Sequence, residues 1–302
     1  MRPEALEKEP MLIAAFGGWN DACQAATDAV RHLTSRYPSR EVRTIDGDGF
    51  YDYQATRPIV CYATGRRRIV WPQTTVYDVE LPQGRHLYAL IAPEPNYRWP
   101  AYCAQVLRIA DELDVRRIVT LGAMFADCPH TRPLPLDVED GSAEAVTDPD
   151  QRYSGPVGIP TILDAAAVDE GFATSSIWAS IPQYLEGDDC AAATLRLLDA
   201  IGDVAGVPID AGDLPGRAGA WREAADVLAS TDEALAAYVK RLEREYDAHE
   251  KARREASLGG HACRQLVMEA EAFLHSLETG HDADGDGRGP VGGVGTTHDG
   301  TV

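Results

Sequence analysis

The run Met11-Leu12-Ile13-Ala14-Ala15-Phe16 is apolar throughout, stops at Gly17-Gly18, and leads into a stretch from Asp21 to Arg36 with apolar residues at Ala22, Ala25, Ala26, Ala29, Val30 and Leu33. A strand that is apolar at every position must be covered on both of its faces. Apolar residues three and four apart mark a helix with one buried side. A doubly covered strand, a glycine turn and an amphipathic helix, in that order, restrict the chain to folds in which helices flank a sheet.

The same alternation recurs downstream. Trp99 to Leu113 carries Tyr102, Cys103, Val106, Leu107, Ala110 and Leu113 at helical spacing, and Ile118 to Gly122 returns as a buried strand. Val42 to Ile45, Ile59 to Ala63, Thr74 to Leu81, His86 to Ile91 and Ser175 to Ile181 are β-branched or aromatic runs that predict further strands. Asp46-Gly47-Asp48-Gly49 signals a turn, and Arg66-Arg67-Arg68 is expected at a solvated turn between two strands. The polar, proline-rich segment Pro129 to Pro156 reads as one long surface loop, followed by a helix over Thr161 to Val168.

From Asp188 onward strand signals fade. Ala191 to Val204, Ala218 to Leu228, Glu233 to Tyr246 and Ala262 to Leu277 read as helices. The expectation is an α/β protein: a three-layer α/β/α sandwich with a largely parallel sheet and an appended C-terminal helical part. Residues 1–10 read as a flexible tail, 11–278 as a single domain (sheet core 11–187, mainly helical 188–278), and the glycine- and aspartate-rich 279–302 as a disordered tail.

Composition narrows the function. With a net charge of -20, most of the surface repels phosphate backbones and anionic lipids, so neither nucleic acid nor a membrane is expected as a partner. No stretch approaches the ~20 apolar residues of a spanning helix. Six scattered cysteines without a C-x-x-C pair predict reduced, mostly buried thiols in a cytoplasmic protein, with no metal site and no cofactor. The run Asp282 to Gly287 imitates the start of a calcium loop, but Gly293 occupies the position of the closing glutamate.

In an open parallel sheet, ligands gather outside the carboxyl ends of the strands. Three stretches fall there: Gly17 to Ala22, Pro93 to Trp99, and Gly122 to Pro133. They supply the candidate ligand- or partner-binding residues Trp19, Asn20, Asp21, Glu94, Asn96, Arg98, Asp127, His130 and Arg132. Asn20 or Asp21 can cap the first helix, and Arg98 is suited to pair with a carboxylate such as Glu94 or Asp127. Asp127 and His130 are the candidates for proton transfer. Cys128, beside Pro129 and near His130, is the thiol with a base close in sequence. The glycines match neither G-x-G-x-x-G nor the phosphate loop ending G-K-[ST], and no G-x-S-x-G elbow occurs.

The stretches FGGWNDACQAA (16–26), YDYQATRP (51–58), RIVWP (68–72), APEPNYRW (92–99), TLGAMFADCPHTRP (120–133), YSGPVGI (153–159) and SIWASIPQY (176–184) together resemble the proteasome assembly chaperone 2 family in its bacterial, actinobacterial form. The resemblance spans about Met11 to Leu277. It implies a phosphorylase-like or nucleosidase-like sandwich and a non-enzymatic role in assembling proteasome rings. Two functions are carried forward: a cytoplasmic assembly-chaperone-like or scaffolding protein, homo-oligomeric and with proteasome subunits as possible partners, and a nucleosidase- or phosphorylase-like enzyme or small-molecule binder. The second requires the polar candidates to converge on one pocket.

Overall fold

The computed structural model describes residues 9–63, 65–141, 154–185, 187 and 189–255. The chain divides into two compact units, 1–246 and 247–302, and the described residues of the second, 247–255, are helical. The expected helix over Ala262 to Leu277 and the expected tails before residue 9 and after 279 lie outside the described residues.

The first unit is built on a seven-stranded sheet. Its strands are β1 (Met11–Gly17), β2 (Ser39–Ile45), β5 (Thr74–Leu81), β6 (Arg85–Pro93), β7 (Arg117–Ala126), β8 (Leu136–Asp140) and β9 (Ala173–Pro182), in the order β2-β5-β6-β1-β7-β9-β8. The central four, β6, β1, β7 and β9, are parallel to their neighbours. β5 runs against β6 and β2 against β5, so β2 points the same way as the centre, and β8 closes the far side antiparallel to β9. Five of the seven strands therefore share one direction, which makes the sheet mostly parallel, as the strand-helix alternation predicts.

Helices α1 (Ala25–Arg36) and α4 (Ala191–Ala205) cover one face of the sheet, and α2 (Trp99–Glu112) and α3 (Ile159–Asp169) the other; α5 (Leu214–Thr231) packs on α4. The two faces can be read off β1: Ile13 and Ala15 join Val30, Leu33, Leu197 and Ile201, while Leu12, Ala14 and Phe16 join Tyr102, Val106 and Leu163. An all-apolar strand is what a doubly covered position demands. Residues 233–246 of this unit are also helical.

Two local expectations are corrected. Arg66 to Arg68 do not form a turn: they open β4 (Arg66–Val70), which pairs with β3 (Ile59–Ala63) in a two-stranded sheet apart from the main one. The stretch expected as one long loop, Pro129 to Pro156, contains β8, whose sequence Leu136-Asp137-Val138-Glu139-Asp140 is mostly exposed. Acidic residues on a peripheral strand discourage chance pairing with other chains, and they also hide the strand from a hydrophobicity reading.

Candidate functional site

The carboxyl end of β1 runs into Gly18, with φ 130°, and then the exposed Trp19. Asn20 and Asp21 turn inward and are buried. The carbonyl of Asn20 accepts from Ala123 N–H (2.9 Å), and Asp21 bridges to Ala123, so this loop is stitched to the end of β7. Glu94 N–H, at the end of β6, donates to Gly17 O (2.7 Å). Loops of three adjacent strands are thus tied together by backbone.

The side chains complete the tie. Asp21 Oδ1 accepts from Ala26 N–H (2.7 Å) and Thr27 N–H (3.3 Å), and its other oxygen accepts from the Thr27 hydroxyl. The capping role expected of Asn20 or Asp21 therefore falls to Asp21. It acts across a tight 3-10 turn, Ala22–Gln24, in which Cys23 and Gln24 have positive φ. Burial raises the Asp21 carboxyl above its ordinary value of 3.8, opposed by the hydrogen bonds from Thr27 and Ala26.

Asn20 Nδ2 donates to Glu94 Oε1 (2.7 Å), which also accepts from Ile159 N–H (3.0 Å) at the start of α3. Gly158, the residue before α3, has no side chain with which to cap the helix, so Glu94 supplies a negative acceptor from another loop. The fit is tight. A Cβ on Gly158 would stand 1.9 Å from Asn20 Oδ1.

Asn96 and Arg98 face elsewhere. Asn96 Oδ1 accepts from Asp52 N–H (2.9 Å) and from the Thr56 hydroxyl (3.3 Å), fixing the segment after β2. Arg98, with φ 57°, holds its guanidinium 5.7 Å from the centroid of Phe50. It does not pair with the expected carboxylates, because Glu94 is committed to Asn20 and Ile159 and Asp127 to residues on the far side of β7.

Asp127, His130 and Arg132 form a separate group that reaches toward the C-terminal helices. Asp127 Oδ1 accepts from Tyr238 OH (2.6 Å) and from the Gln183 amide. His130 is 0% exposed. Its N–H donates to Tyr184 OH (2.9 Å), its Nδ1 lies 2.7 Å from that oxygen, and its Nε2 lies 3.1 Å from Asp226 Oδ1 on α5. Arg132 Nη1 and the Thr131 hydroxyl both reach Glu243 Oε1, at 3.4 and 2.6 Å. Burial, with Asp127 adding to it, pushes the Cys128 thiol up to about 12, which keeps it protonated and a poor nucleophile at neutral pH.

The nine candidates therefore divide. Asn20, Asp21 and Glu94 meet; Asn96 and Arg98 hold the neighbouring loop; Asp127, His130 and Arg132 bind the sheet to helices. Asn96, Arg98 and Asp127 are exposed but engage Asp52 and Thr56, Phe50, and Tyr238 and Gln183 respectively, while Trp19 projects at 68% exposure. Sequence reading passed over its companions: Tyr97 after β6, and Met124 and Phe125 at the end of β7, are large apolar side chains exposed at the same end of the sheet. Their signal is period two, which places Met124 and Phe125 on opposite faces of a strand whose earlier residues are buried on both. Among the described residues no group of three or more His, Cys, Asp or Glu is placed to hold a metal, and no helix is long and apolar enough to cross a membrane.

A mostly parallel sheet between helical layers, with its strand-end polar groups turned to structural use, defines a class of α/β scaffolds rather than one chemistry. The PAC2 family model matches residues 15–229, and the chain belongs to the PAC2 family. Solved structures agree. A proteasome-assembly chaperone homologue of Mycobacterium tuberculosis, Rv2125, is 36% identical, with a TM-score of 0.69 over 76% of this chain and 99% of that one. A PAC2 family protein of Streptomyces avermitilis is 36% identical, with a TM-score of 0.69 over 76% of this chain and 100% of that one. An archaeal proteasome activator of Pyrococcus furiosus, PbaB, shares the fold at 16% identity and a TM-score of 0.55, over 77% of this chain and 96% of that one. No functionally curated protein matches the chain.

Proposed function

We propose that this chain is a non-enzymatic, cytoplasmic assembly-chaperone-like or scaffolding protein that meets a protein partner with the carboxyl end of its sheet. One observation carries the reading: Trp19 stands in solvent while the polar residues beside it, Asn20 and Asp21, are buried and bonded within the chain. An enzyme aims polar groups at the reacting atoms. A binding surface presents aromatic anchors on a buried polar frame, here bonded within the chain through Asn20 Nδ2 and Asp21 while Asn20 Oδ1 has no partner. The enzyme reading needs Arg98 and Arg132 at one anion and Asp127 or His130 beside it, but Arg98 lies over Phe50 and His130 is enclosed by Tyr184 and Asp226.

Proteasome subunits are the partner this reading favours, on the strength of the family and of the relative described as a proteasome-assembly chaperone homologue. Native mass spectrometry of the purified protein with the proteasome α and β subunits of its own organism tests it. The expected result is a defined complex with free α subunits, absent from mature particles and weakened by Trp19→Ala. A chain that ignores both subunits but retains a small molecule would overturn the reading.

A further inference from the structure

The main sheet has two edges, β2 and β8, and they are not alike. β2 is interrupted between Glu41 and Arg43, and its arginines are engaged, Arg40 by Asp78 and Arg43 by Glu112. Bulges and charges of this kind blunt an edge. β8 runs in unbroken register with β9, from Leu136 opposite Ala179 to Asp140 opposite Ser175. Just beyond its ends, Ser180 N–H donates to Pro135 O and Gly141 N–H to Thr174 O, both at 3.0 Å. An antiparallel ladder bonds at every second residue, so positions 135, 137, 139 and 141 face β9, and Leu136 and Val138 turn their N–H and C=O groups away from the sheet. Among the described residues, β8 pairs with β9 alone.

The side chains on this open edge follow the pleat. Asp137 and Glu139 share one face, and Leu136 and Val138 share the other. Val138 is 56% exposed, although Ile177 opposite it on β9 is fully buried. Asp137 and Glu139 are exposed too, and no ion pair or side-chain hydrogen bond among the described residues engages either carboxylate. Outward backbone groups and an uncovered valine between two unneutralised carboxylates specify what fits alongside. A strand laid against β8 matches it with basic residues opposite Asp137 and Glu139 and an apolar residue between them, opposite Val138.

We propose that β8 takes up an extended basic segment of a protein partner as an added strand of the sheet, recognised by its alternation of basic and apolar residues. Main-chain bonds supply the affinity of such a contact, and alternate side chains its selectivity. The carboxylates that discourage chance pairing admit this partner by charge. A second copy of this chain is a poorer occupant, because its β8 repeats the carboxylates and its β2 sets Glu41 between Arg40 and Arg43 with a bulge that breaks the alternation. The proposal does not rest on the partner assigned to the carboxyl end of the sheet, since β8 lies three places from β1, whose loop carries Trp19.

Fluorescence anisotropy of a labelled peptide of alternating lysine and valine, titrated with the full chain, tests it. The expected result is saturable binding that weakens by about tenfold or more when the peptide is N-methylated along its backbone, which keeps every charge but removes the donors of a ladder. Val138→Pro deletes an outward N–H, a place where edge strands accept proline, and is expected to leave the circular dichroism unchanged while weakening binding by about tenfold. Asp137→Lys/Glu139→Lys is expected to reverse the preference, toward a peptide of alternating glutamate and valine. No saturable binding overturns the proposal. So does an N-methylated peptide that binds the wild type as well as its parent, whether or not Val138→Pro folds, because the attraction is then general to an acidic surface. A wild-type dimer that Val138→Pro converts to monomer also overturns it, since a second copy then fills the edge.

Discussion

The loops after β1 and after β7 leave the same end of adjacent parallel strands, and they are fastened in opposite ways. Residues 18–24 are tied inward, to the end of β7, to Glu94 and to the start of α1. Residues 127–132 are tied outward, to Tyr184, Asp226, Tyr238 and Glu243. A shared position at the carboxyl edge brings polar residues into one neighbourhood without making them one site. What a loop residue does is set by the element it is bonded to, so the first loop leaves an aromatic in solvent and the second joins the sheet to the helices.

The largest test of this contrast is His130→Ala. It removes a fully buried ring and the partner of the half-buried Tyr184 OH, while the exposed Asp226 carboxylate returns to water; the cavity and the lost bond are expected to cost about 3 kcal/mol of stability. Hydrogen exchange should accelerate in α5 and in residues 233–246 while the amides of Ala26 and Thr27 keep their protection. Gly158→Ala probes the other loop. Its Cβ collides with the Asn20 amide, and the overpacking is expected to cost about 2 kcal/mol, with faster exchange at the start of α3 and none added in α5. If each variant loosened both regions, the two loops would be a single cooperative unit and the contrast would fail.

The boundaries of β1, β6, α2 and α4 were legible because period and burial agree there. Ile13 and Leu12 alternate between two covered faces, and Tyr102, Val106 and Ala110 form one helical stripe. β4 and β8 were not legible, because Arg66-Arg67-Arg68 and Asp137-Val138-Glu139-Asp140 lie in strands that cover no core, and exposed strands carry no hydrophobic period. At the site, the positions were readable from the topology, and the capping by Asp21 from residue type. The partition of the nine residues was not, since it rests on long-range contacts such as Glu94 with Ile159 and His130 with Asp226.

A smaller effect sharpens the inward tie. Asp21→Ala removes acceptors for Ala26 and Thr27 and is expected to cost about 1 kcal/mol. Its pH dependence has a definite sign. Burial raises the folded carboxyl above 3.8, so the folded state binds the proton more tightly than the unfolded chain does. The stability this contributes is complete below pH 3.8 and is lost as pH rises through the folded value. Asp21→Asn cannot titrate and escapes that loss. Denaturant titrations at successive pH values should therefore show the variant gaining on the wild type just above pH 3.8. A gain in the reverse direction would mean that the bonds from Thr27 and Ala26 outweigh burial.

The smallest change in stability is expected where the proposed function is most exposed. Trp19 leaves the tied loop for solvent, so Trp19→Ala removes little buried area and should shift stability by less than about 0.5 kcal/mol. If the ring is a contact anchor, the same substitution should weaken binding of free α subunits by at least about tenfold, as loss of a central aromatic does at protein interfaces. Thermal melts and native mass spectra of one preparation separate the two readouts. A melt that drops by as much as that of Gly158→Ala would make Trp19 part of the packing of its loop, and the division between an inward-turned polar pair and a projecting aromatic would no longer hold.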